Sequence, residues 1–244
     1  MDSNDKPVAV VTGGGGGIGA ACCRALAAEG FRVGIHYRSS ETEARRLLEE
    51  IGEGFLLQGN LADIDDVENM VRTLKTVAGN VDVLVNNAGF SVDRDMLSMK
   101  VDEFDLQRTV TRGTWYLTKR VLRLFMLRRG TGRIINISSV TGHTGNSGQV
   151  PYTMEKAALD AFTKSLTKEL RGREILVNSV APGFIDTAMT RELPREVREA
   201  ILSTVPLERM GTPDEVADVV AFLARRGTYI TGTVIHVNGG LYGG

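Results

Sequence analysis

Five consecutive glycines stand between a run of valines and an alanine-rich helical stretch, and this junction limits what the chain can become. Val8-Ala9-Val10-Val11-Thr12 reads as a buried strand, and it passes directly into Gly13-Gly14-Gly15-Gly16-Gly17-Ile18-Gly19. A helix is predicted from Ile18 to Glu29, with Gly30 as its stop. Strand, glycine turn and helix together let backbone N–H groups and a helix N-terminus receive a pyrophosphate. Glycine suits that turn because a Cβ would block close approach and the unusual dihedrals. A flexible linker would join polar segments, whereas both flanks here are apolar.

The rest of the chain repeats the alternation. Further strands are predicted at residues 31–37, 55–57, 81–85, 133–137, 175–180 and 234–237. Helices are predicted between them at about 41–50, 64–78, 101–128, from about Tyr152, and from Thr212 to Arg225. On the 64–78 helix, Val67, Met70, Val71, Leu74 and Val77 share one face. Thr212-Pro213-Asp214-Glu215 combines a capping box with proline at the first helical position. With 244 residues, 42% of them hydrophobic, and no repeat or linker, the expectation is one α/β domain spanning residues 1–244. It is a Rossmann-type, doubly wound domain, with a seven-stranded parallel sheet and helices on both faces. Ligands then belong at the carboxyl ends of the strands.

Charge and cysteine usage narrow the class. A formal net charge of −1 argues against general affinity for nucleic acid or anionic membrane. No apolar run approaches a membrane span, and the polar start Met1-Asp2-Ser3-Asn4-Asp5 is unlike a secretory signal. Cys22 and Cys23 are adjacent and badly placed to bridge one another, which suits packing in a reducing compartment, the cytoplasm by default. His36, His143 and His236 show no metal-ligand spacing, so core, loop or surface roles are expected and no metal site.

Tyr152 and Lys156 lie one helical turn apart, and Ser139 ends an apolar run upstream. A phenol, a cation that favours the phenolate, and a second hydroxyl suit proton exchange with a carbonyl oxygen while hydride moves at carbon. Alone, such a Tyr–Lys pair usually decorates a solvated helix face, and Ser139 could be a strand-end cap. At the end of the second strand, Tyr37-Arg38-Ser39-Ser40 offers no acid to bind a ribose 2′-hydroxyl. It does offer a guanidinium and hydroxyls that suit a 2′-phosphate, so NADP(H) is expected over NAD.

Together these residues resemble the classical short-chain dehydrogenase/reductase family across nearly the whole chain. Thr12, Gly13, Gly17 and Gly19 meet its Thr-Gly-x-x-x-Gly-x-Gly pattern, and Asn86-Asn87-Ala88-Gly89 its motif after the fourth strand. Ser139, Tyr152 and Lys156 match its catalytic positions. The resemblance implies a cofactor site of Thr12, Gly13, Gly15, Gly16, Gly17, Ile18, Gly19, Tyr37, Arg38 and Ser39 on the nucleotide side. Asn60, Leu61, Asn87, Ala88 and Gly89 follow, then Tyr152, Lys156, Pro182, Gly183, Ile185 and Thr187 around the nicotinamide. Lys156 would anchor the nicotinamide ribose, and Thr187 the carboxamide. Gly145–Gln149, Ala181–Thr187 and Val237-Asn238-Gly239-Gly240 look most like 3-oxoacyl-thioester reductases of fatty acid biosynthesis, with acetoacetyl-CoA reductases similar. A homotetramer is implied by the same likeness.

Three departures and two open alternatives accompany that expectation. Gly16 stands where NADP-using relatives often carry a second basic residue. Asn60 replaces a usual aspartate near the adenine, and its amide oxygen could accept the same bond. Aligning Gly113 and Thr118-Lys119 puts Val110 at the asparagine that helps hold a relay water, with Thr111 and Arg112 polar beside it. If the substrate rides on acyl carrier protein, Arg128, Arg129 and Arg173 are the candidate basic patch near the site entrance. A reductase of steroid, sugar or quinone carbonyls would share these catalytic residues and differ in the lid near residues 187–205. A cofactor-binding relative with little or no activity, such as an NADP sensor, would keep the glycine turn and tolerate Val110.

Overall fold

A computed structural model describes residues 6–191 and 194–243, so the predicted polar start at residues 1–5 lies outside the described residues. Seven strands form one sheet: β1 (Val8–Val11), β2 (Arg32–Tyr37), β3 (Gly54–Gln58), β4 (Val83–Asn86), β5 (Thr131–Ile137), β6 (Glu174–Pro182) and β7 (Val234–Val237). Their spatial order is β3-β2-β1-β4-β5-β6-β7, and every adjacent pair is parallel. The chain reverses its direction of travel between β1 and β4. That switch opens a crevice at the strand carboxyl ends, where such sheets bind ligands.

Helices cover both faces: α1 (Gly17–Ala28), α2 (Glu41–Ile51), α3 (Ile64–Thr73), α4 (Val101–Val121), α5 (Thr141–Thr144), α6 (Val150–Glu169), α7 (Ala188–Arg191), α8 (Arg195–Leu202) and α9 (Pro213–Arg225). Both long periodic runs end in a π turn, Leu74–Ala78 after α3 and Leu122–Met126 after α4. The strand period decides which core each residue joins. Ala9 and Val11 pack with Leu26, Val33 and Leu223 under α1 and α9, while Val8 and Val10 pack with Met70, Leu117 and Leu166 under α3, α4 and α6. Burial on both faces is why β1 reads as an uninterrupted apolar run.

Val67, Met70, Val71 and Leu74 are buried as their spacing predicts, but Val77 is 42% exposed. The π turn is wider than an α turn, so the face rotates and Val77 leaves the stripe. The capping box is formed: Thr212 N–H donates to Glu215 Oε2 at 2.8 Å, and Glu215 N–H donates to Thr212 Oγ1 at 3.3 Å. Cys22 and Cys23 are buried and unbridged, and burial pushes the Cys22 thiol up to about 12. Among the described residues, no helix is long and apolar enough to cross a membrane.

Candidate active site

The glycine turn is built by a lattice of bonds from three strands. Thr12 is wholly buried. Its Oγ1 accepts from Asn87 N–H at 2.9 Å and Ala88 N–H at 3.0 Å, which fastens the end of β1 to the segment after β4. Asn87 Nδ2 returns the contact by donating to Thr12 O at 2.9 Å and Gly13 O at 3.1 Å. Gly13 and Gly17 have φ of +64° and +51°, which disfavour any side chain. A Cβ at Gly19 would lie 2.1 Å from the Gly13 carbonyl oxygen, so α1 can approach the turn only without one.

Gly16 caps α1 without a side chain, and Gly16 and Gly17 are exposed, so the first-turn N–H groups face outward. This is the arrangement that receives a pyrophosphate. Thr187 comes within 3.6 Å of where a Gly17 Cβ would be, so the segment after β6 faces the turn across a cavity of about 440 Å³. Arg38, Ser39 and Ser40 are exposed at the end of β2, while Tyr37 is buried in the core.

One residue of this lattice was not singled out by sequence. His36 is buried, accepts from Gly13 N–H through Nδ1 at 2.9 Å, and contacts Gly59 O through Nε2 at 3.0 Å. Those partners require a neutral ring with its proton on Nε2. The parallel β1–β2 register is the only signal that could have found it, because it sets Val11 beside Ile35 and so the turn beside His36. Burial pushes the His36 pKa down to about 4, against an ordinary value near 6.5.

Between those values the unfolded chain binds a proton that the folded chain refuses. The stability from neutral His36 is therefore complete above about pH 6.5 and is lost as pH falls toward 4, a difference of roughly 3 kcal/mol. Thermal melts across that window should show the loss, and His36→Gln should flatten it. A variant that keeps the wild-type slope would assign the acid sensitivity elsewhere.

The second half of the site lies at the ends of β5 and β6. Ser139 Oγ accepts from Thr141 N–H at 3.2 Å and Thr141 Oγ1 at 2.9 Å. With its lone pairs occupied, the serine's own O–H is left free to donate. Tyr152 and Lys156 occupy the first two turns of α6, which begins at Val150 with Pro151 in its first turn. Lys156 is 8% exposed, donates to Ile137 O at 2.8 Å, and holds its Nζ 5.6 Å from the centre of the Tyr152 ring. Gly89 opens onto the same ammonium: a Cβ there would be 3.5 Å from Nζ. Gly183 N–H donates to Val237 O at 2.9 Å, and a Cβ on it would press on Asn238 at 2.8 Å.

A polar ladder crosses the sheet behind these groups. Asn86 Nδ2 donates to Thr118 Oγ1 at 3.0 Å and Asn136 Oδ1 at 2.8 Å. Asn136 Nδ2 donates to Thr163 Oγ1 at 2.8 Å, and Thr163 bonds Ser179 at 2.8 Å. Asn86, Asn136 and Ser179 stand side by side in the parallel register, so the ladder ties α4 to α6 through three strands.

Several expectations are modified by the geometry. Asn60 Oδ1 accepts from Ala62 N–H at 3.1 Å, a local turn that already uses the oxygen proposed for adenine. Val110 is half-buried against the apolar cluster under α4 and offers no polar atom there, and Arg112 is used to donate to Ala62 O at 3.0 Å. Arg128, Arg129 and Arg173 precede β5 and β6, so they lie at the amino-terminal edge of the sheet, roughly 20 Å from the carboxyl ends. They form no patch at the site entrance of this protomer. Arg129 is also committed to Asp82 at 2.6 Å and to the carbonyls of Val81 and Phe125.

Comparison with known proteins agrees with this architecture. The family model described as enoyl-(acyl carrier protein) reductase matches residues 13–242. A 3-oxoacyl-[acyl-carrier-protein] reductase from Synechocystis is 44% identical over 99% of this chain and 99% of its own length. The protein of that name from Haemophilus influenzae is 44% identical over 96% of this chain and 98% of its own, and that from Staphylococcus aureus strain Mu50 is 42% identical over 96% and 97%. With the glycine turn, strands β2 to β7 and the serine, tyrosine and lysine segments all falling within the matched span, the chain belongs to the short-chain dehydrogenase/reductase family.

Proposed function

We propose that the protein reduces a 3-oxoacyl thioester to the 3-hydroxyacyl thioester with NADPH, in fatty acid biosynthesis. The observation that carries this reading is full-length similarity at 42–44% identity to reductases of that name, joined to a Ser139 held by Thr141 of α5, which packs against the helix of Tyr152 and Lys156. The residues present fit a dinucleotide: the turn that a Cβ at Gly19 would fill, the uncapped α1 N-terminus, and Arg38 with Ser39 for a 2′-phosphate. Bound NADPH supplies hydride to the ketone carbon.

The chain's own residues do the rest. Ser139 donates to the ketone oxygen and fixes its place. Tyr152 delivers the proton to that oxygen as it gains charge. Lys156, anchored on Ile137 O, favours the phenolate that remains and is available to the nicotinamide ribose. Val110 removes one polar station from the relay that would reprotonate the tyrosine, so protons must reach the site by another route.

Acyl carrier protein is the proposed carrier. Because Arg128, Arg129 and Arg173 lie far from the site of their own protomer, they can serve the carrier only from a neighbouring copy. A homotetramer would supply that copy, and half-exposed Trp115 and Met154 on α4 and α6 support an apolar subunit contact. Cytoplasmic location rests on the two buried, unbridged thiols.

Steady-state oxidation of NADPH should be fastest with acetoacetyl-CoA among a panel that includes a steroid ketone, a sugar ketone, a quinone and crotonyl-CoA. NADH should be at least about tenfold poorer if Arg38 reads a phosphate. A preference for crotonyl-CoA would reassign the chain to double-bond reduction, and cofactor binding without turnover would make it a sensor.

A further inference from the structure

The reductase reading leaves unexplained a partly buried cluster that the sequence scatters over a hundred residues. His143 lies on α5, Asp160 on α6, His236 on β7 and Tyr242 beyond it. The His143 Nε2 is 2.9 Å from Asp160 Oδ2, and Asp160 is only 4% exposed. The His236 ring stands edge-on to His143 at 4.7 Å, and the Tyr242 ring closes over both at 5.1 and 4.9 Å. The His143–Asp160 contact is close but not aligned as a hydrogen bond. Both Asp160 oxygens, His143 Nε2 and His236 Nδ1 therefore have no directional partner in the protein. Among the described residues, no cluster has the geometry of a metal site.

The position of the pair is what matters. Thr141, which holds Ser139 Oγ with two bonds, begins α5, and His143 sits two residues on. Asp160 lies one turn beyond Lys156 on the helix that also carries Tyr152. Between the two, Gly142 presses α5 onto α6: a Cβ there would be 3.0 Å from Ala157 N and 3.2 Å from the Lys156 carbonyl carbon. The pair is thus the only charged contact between the α5 that holds the serine and the α6 that holds the tyrosine and lysine, among the described residues.

We infer that His143 and Asp160 are positioning residues, an imidazole–carboxylate contact that holds Ser139 in register with Tyr152 and Lys156. This rests on the reductase reading. The contact suits the task because the buried Asp160 carboxylate has, among the described residues, no alternative partner to the imidazole against it, so the two helices cannot slide apart cheaply. The groups that face His143 are Asp160 from α6, His236 from β7 and the Tyr242 phenol from the C-terminal segment. Burial and the neighbouring His143 hold the His236 pKa below its usual value.

Asp160→Asn keeps the volume and removes the carboxylate, and His143→Gln removes the imidazole from the other side of the contact. In Asp160→Asn, kcat should fall about tenfold while the Kd for NADPH stays unchanged, because the glycine turn is untouched. The double variant should lose no more than the worse single one, as expected for residues acting as a unit. Amide exchange supplies a readout that does not need turnover: Thr141–Thr144 should exchange about tenfold faster in Asp160→Asn, with residues 13–19 unaltered. Unchanged exchange in α5, or a folded variant with wild-type kcat at every pH, would overturn the inference. A wild-type enzyme inactive on every carbonyl would instead defeat the reductase reading.

Discussion

Tyr152→Phe is expected to lower kcat by about a thousandfold, within the range that general acid catalysis supplies, while the Kd for NADPH changes little. The substitution removes one oxygen and leaves the ring that lies beside the Lys156 ammonium. Lys156 keeps its bond to Ile137 O, so the cation is neither lost nor set free to collapse into the vacancy. Ser139 also keeps its two bonds from Thr141 and can still polarise the ketone. What disappears is the proton that must reach the carbonyl oxygen as hydride arrives at carbon. Lys156→Ala would be a poorer test, because the same side chain serves the phenol and the cofactor ribose. Single-turnover oxidation of NADPH, followed beside fluorescence titration of the cofactor, separates the two quantities. A Tyr152→Phe enzyme that reduces acetoacetyl-CoA at the native rate would remove the tyrosine from the chemistry.

How much of this site the sequence made legible depends on how local each feature is. The glycine turn, the α9 capping box and the Tyr152–Lys156 spacing are written within a few residues of one another, and the structure has them at those positions. The seven strands were readable because strands buried on both faces leave continuous apolar runs. Features that depend on two distant segments meeting were not readable. His36 looks like any strand histidine until the parallel register sets it against Gly13, 23 residues away. His143 and His236 show no motif spacing, yet their rings touch. The placement of the carrier arginines was hidden for a different reason. Their positions relative to β5 and β6 place them at the wrong end of the sheet, which motif matching alone does not register. Val77 was misplaced by a local cause, a π turn that no periodicity count at 3.6 residues per turn anticipates.

The glycine turn itself yields the other large effect. In Gly19→Ala the added methyl would be 2.1 Å from the Gly13 carbonyl oxygen and 2.6 Å from Asn87 Nδ2. Neither can yield alone: Gly13 N–H is tied to the His36 ring, and Asn87 Nδ2 bonds both Thr12 O and Gly13 O. Relief requires α1 to lift from the turn, and that lift withdraws the very N–H groups that would meet a pyrophosphate. NADPH affinity should fall at least about a hundredfold, and overpacking should cost about 1–3 kcal/mol of stability. Gly16→Ala is the matched comparison, since Gly16 has an extended φ of −167° and nothing within 4 Å of where its Cβ would lie. That chain should fold as the native one does and bind NADPH with at most a modest loss. If the two alanine variants bound NADPH equally well in a fluorescence titration, close packing of α1 on the turn would not be what shapes the cofactor site.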